Sequence, residues 1–302
     1  MQIAIPPYLQ PGDTIAITCP AGYMPRENAD HCIQILQEQG YEVIVGKTVG
    51  SDSQNYFSAE DDDRLDELQA FLDAKEVKSI LCGRGGYGTG RIIDRINFKH
   101  FAKHPKWIIG FSDITVLHAH LYSNFGIASL HAPMASAFKD GSNEFTNSLL
   151  AALRGEKATY HAPAVDANLL GHGKGKLVGG NLSLLAHLCG TASAFKTKGC
   201  ILFLEDIGEQ LYHIDRMLYQ LKRNGMLKTL AGLVIGGFSE TKDTERPFGK
   251  NIHEIIREIT EEYDYPVCFQ FPVSHEKENF AMKVGVKYKL VVDESGVLLS
   301  EC

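Results

Sequence analysis

Three polar residues follow apolar, strand-like segments, in the places where enzymes often carry reactive groups. Ser112 follows WIIGF, Glu205 follows CILFL, and His275 lies in a polar loop after VCFQF. A serine hydroxyl becomes a nucleophile when an imidazole removes its proton, and a carboxylate can hold that imidazole in the correct orientation. These residues could perform acyl transfer if the fold brings them together.

Ser112 lies where a predicted buried strand, WIIG, passes directly into a helix. In a nucleophile elbow, such a turn exposes the serine at the carboxyl edge of the sheet, and the next backbone N–H points to the same space. The second glycine of G-x-S-x-G is absent, because Ile114 occupies that position. Serine is also a common helix N-cap, and this segment alone favours the N-cap interpretation.

A glycine-rich loop, CGRGGYGTGR, follows the third predicted strand and precedes a helix. Gly83, Gly85 and Gly88 match G-x-G-x-x-G, and such glycines let backbone N–H groups approach a negative charge closely. Dinucleotide-binding loops share this pattern, and Asp113 lies at roughly the spacing of a ribose-binding acid. However, such a loop normally follows the first strand. The positive charge of Arg84 would suit a carboxylate as well as a phosphate.

Two more polar residues adjoin these segments. We interpret Asp206 as a helix cap and its neighbour Glu205 as the candidate acid of a triad. Asn181 follows two glycines at a predicted helix start, where it is either an N-cap or a substrate contact. The histidines show no metal-binding pattern such as HExxH, and His118 and His120, two apart on a predicted helix, face different directions.

Composition narrows the class of protein. The chain has 302 residues, 44% of them hydrophobic, and a net charge of -7. This charge argues against a nucleic-acid partner, which needs a basic surface. The seven cysteines are odd in number and form no CxxC pair, which fits a reducing compartment. The N-terminal residues do not resemble a secretory signal, and no apolar run is long enough for a membrane helix, so we expect a cytoplasmic protein.

The order of predicted elements indicates the fold class. In the first half, short apolar strands alternate with helices, which predicts a parallel sheet with helices on both faces and ligands at the carboxyl ends of its strands. A stretch rich in glycine, alanine, proline and histidine then interrupts the pattern. We therefore predict an N-terminal domain over 1–160, a linker over 161–175 and a smaller α/β domain over 176–302.

Taken together, these segments resemble the LD-carboxypeptidase family, which includes the microcin-C immunity peptidases. The matching segments occur in the same order from Pro11 to about Gly285: GRGGYG, GFSDIT, HAPM, GGNLSLLAHLCGT, LFLED, YHIDRML and FPVSHEKEN. The resemblance implies a Rossmann-like N-terminal domain with a parallel sheet, a smaller C-terminal α/β domain, and an active site in the groove between them. It also implies a homodimer, with no metal or cofactor.

The resemblance assigns roles residue by residue. The catalytic triad falls on Ser112, Glu205 and His275. The oxyanion hole falls on the backbone N–H groups of Gly86 and Asp113. Substrate contacts are expected at Arg84, Gly85 and Asn181. Two positions depart from the family pattern, since Ser274 replaces the usual glycine before the histidine and Lys283 replaces a proline. Neither change removes a catalytic group.

The activity implied is hydrolysis of the L,D-peptide bond that releases D-alanine from murein tetrapeptides during peptidoglycan recycling. An immunity-type peptidase, which cleaves an aminoacyl-nucleotide toxin, is the nearest alternative. Such enzymes tend to carry an aromatic-rich insertion, whereas this chain has one tryptophan, Trp107. A nucleotide-binding oxidoreductase and an inactive ligand-binding module are more distant alternatives.

Overall fold

The polypeptide forms two compact units, each built around its own β-sheet. The computed structural model describes residues 2–139 and 141–302. The first unit extends to Glu156 and includes Phe280–Lys283, and the second contains Lys157–Asn279 and Val284–Cys302. The predicted mixed α/β architecture with two domains is confirmed, and the return of four late residues to the first unit is a feature that the sequence did not indicate.

Thirteen strands are found in the described residues. They are β1 Thr14–Thr18, β2 Glu42–Val45, β3 Val77–Cys82, β4 Trp107–Gly110, β5 Ser129–His131, β6 Thr159–Ala162, β7 Gly171–Asn181, β8 Ile201–Ile207, β9 Gly232–Ser239, β10 Val267–Cys268, β11 Met282–Val284, β12 Lys287–Asp293 and β13 Gly296–Glu301.

Eight α-helices accompany these strands in the same part of the chain. They are α1 Asp30–Glu38, α2 Asp61–Asp73, α3 Thr89–Ile92, α4 Thr115–His120, α5 Glu144–Leu153, α6 Leu182–Leu188, α7 Leu211–Arg223 and α8 Ile252–Thr260. Short 3-10 helices span Arg26–Ala29, Ile93–Arg95, Ser112–Ile114 and Ala135–Phe138, and a π-helix spans Leu121–Phe125.

The first unit contains a six-stranded sheet in the order β11-β5-β4-β3-β1-β2. The strands β1 to β5 pair in parallel. β4 is buried at every residue and β3 at all but one, which explains their apolar runs, because a parallel strand is covered on both faces. Since β3 and β4 are neighbours, the loops after them begin at adjacent points on the carboxyl edge of the sheet.

The second unit contains a mixed seven-stranded sheet in the order β10-β9-β8-β7-β12-β13-β6. β7, β8, β9 and β10 run in parallel, whereas β12, β13 and β6 join by antiparallel pairing. The register of β7 and β8 places Asn181 opposite Glu205. Two of the polar residues singled out in the sequence therefore lie at the carboxyl ends of adjacent parallel strands.

The predicted linker over 161–175 contains strand residues in the structure. Its first residues end β6, and its last residues begin β7, which pairs with β12. The glycines that suggested a linker allow close packing instead: a Cβ atom on Gly173 would collide with the carbonyl oxygen of Ala231. Glycine inside a strand often marks such a close backbone approach. The alternation of glycine with polar residues hid this strand in the sequence.

Candidate active site

Ser112 occupies a tight turn between β4 and the helix that follows it. Its φ angle is 61°, in the left-handed region, which costs a residue with a side chain roughly 1–2 kcal/mol. Phe111 is extended and occupies the N-cap position of the 3-10 helix Ser112–Ile114. The N-cap interpretation of Ser112 is therefore wrong, and the residue instead lies in a strained strand-to-helix turn of the kind that defines a nucleophile elbow.

Gly85 packs directly against the Ser112 side chain. An ideal Cβ atom on Gly85 would lie 2.9 Å from the Ser112 Cβ atom and 3.1 Å from its Oγ atom. The position of the loop is fixed by the N–H of Gly22, which donates to the carbonyl oxygen of Gly85 at 3.0 Å. The glycine at position 85 therefore allows the loop to reach the serine.

Asp113 connects the same loop to the serine turn. The carboxylate of Asp113 is buried and accepts a hydrogen bond from the backbone N–H of Thr89 at 2.8 Å. This contact holds the start of α3 beside the turn that carries Ser112. It also counts against the dinucleotide interpretation, because a carboxylate enclosed in this way is not available to bind a ribose hydroxyl.

His118 lies behind the serine turn and is fully buried. Its Nε2 atom lies 2.8 Å from the carbonyl oxygen of Gly110, and its Nδ1 atom lies 2.8 Å from the Ser129 hydroxyl. Burial lowers the pKa of His118 to about 4, so the ring is neutral at pH 7. Because the carbonyl can only accept, the single ring proton resides on Nε2, and Nδ1 accepts from Ser129. Sequence reasoning gave this residue no role.

The loop residues predicted to bind substrate or oxyanion lie around this turn. Gly86 is exposed and has a φ angle of 96°, which favours glycine. Arg84 is exposed, and its guanidinium donates to the carbonyl oxygen of Tyr23 at 2.9 Å. The roles of Gly86, Asp113, Arg84 and Gly85 in catalysis or binding remain predictions.

An aromatic cluster near the glycine loop was missed in the sequence. Tyr56 is 58% exposed and Tyr87 is 50% exposed, and both rings contact Phe57, with centroid distances of 5.5 and 5.9 Å. The Arg91 guanidinium lies over the Phe57 ring at 5.2 Å. A Cβ atom on Gly86 would lie 3.0 Å from the Tyr56 hydroxyl, so the cluster borders the loop. Tyr87 belongs to the GRGGYG segment and could have been noted from it.

In the second unit, Glu205 and His275 form a hydrogen-bonded pair. The Nδ1 atom of His275 lies 2.5 Å from the Oε2 atom of Glu205. The Glu205 side chain is fully buried, and that of His275 is 12% exposed. Burial disfavours the charged imidazolium, but the hydrogen bond and the negative charge of Glu205 outweigh it, so the pKa of His275 is raised above 6.5. A pair with this geometry can act as a base whose orientation is fixed.

Asn181 and Asp206 form a second polar group in this unit. The Asn181 side chain caps α6 by accepting from the N–H of Leu184 at 3.2 Å, and its Nδ2 atom donates to Asp206 at 2.8 Å. The other carboxylate oxygen of Asp206 accepts from the N–H of Ser183. Asp206 therefore contributes to the start of α6, and the N-cap alternative for Asn181 is confirmed. A contact between Asn181 and substrate remains a prediction.

The departure at Ser274 stabilises the loop that carries His275. The Ser274 hydroxyl donates to the carbonyl oxygen of Glu278 at 3.0 Å and accepts from the N–H of Glu276 at 3.0 Å. Both bonds join Ser274 to residues that follow His275 in sequence, so they hold together the turn that contains His275. Glycine could not make these bonds.

The departure at Lys283 lies in the first unit. Lys283 is buried, and its Nζ atom donates to the carbonyl oxygen of Glu156 at 3.0 Å and lies 4.8 Å from the centre of the Tyr8 ring. The hydrogen bond to this carbonyl and the contact with the aromatic ring offset the cost of burying the ammonium group. This lysine therefore acts in packing near the end of the first unit.

Within residues 2–139 and 141–302, no group of three or more histidine, cysteine, aspartate or glutamate side chains is arranged to hold a metal ion. The helices in these ranges also lack the combination of length and apolar character that a membrane crossing requires.

A serine in a strained strand-to-helix turn and a buried carboxylate–imidazole pair are both group types that serine hydrolases use. Comparison with known proteins agrees. Residues 15–132 match the model of the LD-carboxypeptidase N-terminal domain, and residues 174–290 match that of its C-terminal domain. The chain belongs to the LD-carboxypeptidase family of serine peptidases.

Individual relatives are similar over nearly the whole chain. A probable murein peptide carboxypeptidase of Bacillus subtilis is 35% identical, covering 97% of this chain and 95% of its own. The crystal structure of muramoyltetrapeptide carboxypeptidase from Oxalobacter formigenes superposes with a TM-score of 0.86 at 31% identity, covering 95% and 98% of the two chains. The microcin C7 self-immunity protein MccF of Escherichia coli is 24% identical over 96% of this chain and 94% of its own.

Proposed function

We propose that this protein is a serine carboxypeptidase that hydrolyses the L,D-peptide bond before the terminal D-alanine of murein tetrapeptides, as a step in peptidoglycan recycling. The strongest structural support is the buried hydrogen bond between Glu205 and His275, because it provides an oriented base in a chain that also carries a strained serine. The names of its relatives in Bacillus subtilis and Oxalobacter formigenes support the substrate class.

In the proposed mechanism, Ser112 is the nucleophile and His275 is the general base. The Glu205 carboxylate can only accept a hydrogen bond when ionised, so the proton between the two residues resides on His275 Nδ1. This leaves the lone pair of the neutral imidazole on Nε2, which takes the proton from the Ser112 hydroxyl as the oxygen attacks the scissile carbonyl. Glu205 then stabilises the imidazolium that has formed.

The negative oxygen of the tetrahedral intermediate needs donors that are already in place. We assign this role to the backbone N–H groups of Gly86 and Asp113. One such donor typically contributes about 3 kcal/mol to transition-state stabilisation. The imidazolium returns its proton to the leaving amine, D-alanine departs, and water hydrolyses the acyl-enzyme by the reverse sequence of proton transfers. We assign Arg84 to the terminal carboxylate, and Gly85 and Asn181 to the shape of the binding site.

Release of D-alanine from a synthetic tetrapeptide tests this activity directly. We expect the wild-type protein to release D-alanine, and to leave a peptide ending in L-alanine intact. We expect Ser112→Ala to reduce kcat by about 10³-fold or more. His275→Ala serves as a second active-site variant, and unfolding curves verify that both variants are folded. D-alanine release by a folded Ser112→Ala variant at the wild-type rate would disprove the role of Ser112.

Immunity-type peptidase activity is a second candidate. Its structural support is the exposed pair Tyr56 and Tyr87 beside the glycine loop, since aromatic rings can stack on a nucleobase. The similarity to MccF points the same way. Hydrolysis of an aminoacyl sulfamoyl adenosine with no release of D-alanine from the tetrapeptide would favour this candidate over the murein activity.

We also propose a cytoplasmic location and a homodimer. The buried thiols of Cys19, Cys32 and Cys82 are not in disulfides, which fits a reducing compartment. Fractionation of cells that express the protein tests the location.

Light scattering coupled to gel filtration tests the dimer, and a mass near the 33.3 kDa of one chain would contradict it.

A further inference from the structure

A cleft in the first unit lies at the amino edge of its sheet. It has a volume of about 730 Å³, and its walls include residues just before β1 and residues at the starts of β3 and β4. Because these strands are parallel, this edge is opposite the carboxyl edge where Ser112 follows β4. The cleft is therefore separate from the serine turn. We call it the basic cleft, after the four lysines that line it: Lys75, Lys78, Lys103 and Lys106.

The basic cleft concentrates positive charge in a protein whose net charge is -7. Two histidines, His100 and His104, line it beside the four lysines, and the described lining holds one carboxylate, that of Asp13. This carboxylate accepts a hydrogen bond from the backbone N–H of Gln10 at 2.8 Å. The surplus of cations is local, and a concave wall of one charge sign attracts ions of the opposite sign.

Lys106 is a buried cation in the basic cleft that lacks an anionic partner. The residue is 5% exposed, and its Nζ atom donates to the carbonyl oxygens of Phe71, at 2.8 Å, and Ala74. An ammonium group has three N–H donors. Within the described residues, the third finds no acceptor and no carboxylate forms an ion pair with the group. Lysine is rarely buried unless it is paired, so an anion in the cleft would supply the missing charge.

The pKa of Lys106 agrees with this interpretation. Burial lowers the pKa of its ammonium group from 10.5 to about 8, although the negative charges of Glu76 and Asp73 act in the opposite direction. The protein therefore bears a cost for keeping this side chain charged at neutral pH. A bound anion would offset that cost.

Capping of α2 explains part of the charge but not all of it. The ammonium groups of Lys106 and Lys78 donate to carbonyl oxygens at or just beyond the end of α2, where cations interact favourably with the helix dipole. Lys75 and Lys103 are exposed, and their ammonium groups form no hydrogen bond or ion pair with the described part of the chain. These two cations are available to a ligand.

The residue types in the basic cleft favour phosphate groups. Lysine binds phosphate as a point charge, whereas arginine, whose planar fork also matches a carboxylate, is absent from the described lining. Two lysines belong to the start of β3 and two to the segment before β4, and these strands are neighbours. Two pairs of cations on adjacent segments suit an anion with more than one charged centre. The volume is in the range of small-molecule sites.

We propose that the basic cleft binds the diphosphate group of a small molecule through Lys75, Lys103 and the buried ammonium of Lys106. Inorganic diphosphate and a nucleoside diphosphate share this group. The apolar surfaces of Pro7 and Pro105 would contact the organic part of the nucleoside ester. The site lies at the opposite edge of the sheet from Ser112, and the proposal does not depend on peptidase activity.

Calorimetric titration of the full chain tests the proposal. Inorganic diphosphate, ADP, adenosine and citrate would each be titrated in magnesium-free buffer at physiological salt. We expect at least one diphosphate compound to bind, and the tighter of the two identifies the source of the group. Adenosine and citrate should bind about 10-fold or more weakly, because neither carries a diphosphate. Failure of both diphosphate compounds to bind, or equal affinity for citrate, would overturn the proposal.

Variants then locate the binding site. Lys75→Gln combined with Lys103→Gln removes two exposed charges and should weaken binding by about 10-fold or more. Lys106→Met should weaken it similarly, with an unfolding curve to verify that the variant is folded; if it is not, the double variant decides. Lys47→Gln, which alters an exposed lysine beyond the end of β2, is the matched control and should leave the affinity unchanged. Wild-type affinity in the double variant would contradict the assignment.

The aromatic cluster near the glycine loop is the competing location for a nucleotide. Tyr56→Ala combined with Tyr87→Ala should leave the affinity of the diphosphate compound unchanged. Loss of binding in this variant, with binding retained when Lys75 and Lys103 are replaced, would place the ligand at the carboxyl edge and overturn the proposal. Binding is measured without D-alanine release, so failure of the proposed peptidase activity and failure of this site are distinguishable.

Discussion

The Ser112 side chain lies against Gly85, at the position where a Cβ atom of residue 85 would be. A methyl group on Gly85 would lie 2.9 Å from the Ser112 Cβ atom, closer than Cβ contacts in proteins. The glycine loop and the serine turn therefore determine each other's positions, although 26 residues of chain, including a helix and a strand, separate them.

Gly85→Ala should impair activity more than stability. The added methyl group must displace either the loop or Ser112, and in the proposed mechanism a nucleophile misplaced by about 1 Å can lose about 10²-fold in rate. We expect kcat/KM for D-alanine release to fall by about 10-fold or more. The rate at which a fluorophosphonate labels Ser112 gives an independent measurement, and wild-type values of both rates would show that the contact does not matter.

The pH dependence of activity should reflect the Glu205–His275 pair. In the proposed mechanism the reaction needs a neutral imidazole, so activity should rise with pH through the pKa of His275. Because this pKa is raised, we expect the acid limb of the kcat/KM profile to lie above pH 6.5. Glu205→Gln removes the group that raises the pKa, so the limb should move to lower pH while kcat falls by about 10³-fold or more. An unchanged limb in this variant would contradict the pairing.

Asp206 should make stability depend on pH in the opposite direction from a carboxylate whose pKa is lowered by folding. Burial raises its pKa from 3.8 to about 6, despite hydrogen bonds from Ile207 and Asn181 that lower it. Between these values the folded state holds a proton that the unfolded state has lost, so this group's contribution to stability falls as pH rises from about 4 to about 6.

Comparison with Asp206→Asn isolates this contribution. The free energy of unfolding of the wild-type protein minus that of the variant should decrease from pH 4 to pH 6 and then level off. Urea unfolding across this range provides the measurement. A difference that rises with pH would mean that the folded structure favours the ionised carboxylate.

His118→Leu should destabilise the first unit. The substitution removes hydrogen bonds to the Gly110 carbonyl and the Ser129 hydroxyl in a fully buried position, and the expected cost is about 2 kcal/mol or more. Adding Ser129→Ala removes the hydroxyl that has lost its partner. The double variant should therefore lose less stability than the sum of the two single variants, as measured by chemical unfolding. Strict additivity would argue that the two side chains are not coupled.

Much of the first unit follows from local sequence patterns. Apolar runs such as KSILCG and KWIIGF predict buried parallel strands, and the leucines of α2 form the buried face that their spacing predicts. These elements are predictable because each depends on periodicity and burial within a few residues.

The rest depends on contacts that are distant in sequence. The first residues of β7 fall in the predicted linker because their glycines suggest a flexible stretch, whereas Gly173 and Gly175 in fact allow close contact with Ala231 and Gly199. β11 pairs with the first sheet although it lies far from the other strands of that sheet in sequence. It has only three residues, which is too short for a recognisable strand pattern. Chemical type and resemblance point to Ser112, Glu205 and His275 in the sequence, whereas His118 and Tyr56 emerge only once the chain is folded.

With the proposed role of Ser112, its left-handed backbone sets reactivity against stability at one position. A glycine would relieve the strain, and Ser112→Gly should raise the free energy of unfolding by about 1 kcal/mol. Keeping a serine at this position therefore lowers a free energy of unfolding that is small in most proteins. If the protein no longer needed the hydrolysis proposed here, exchanging this serine for glycine would increase its stability.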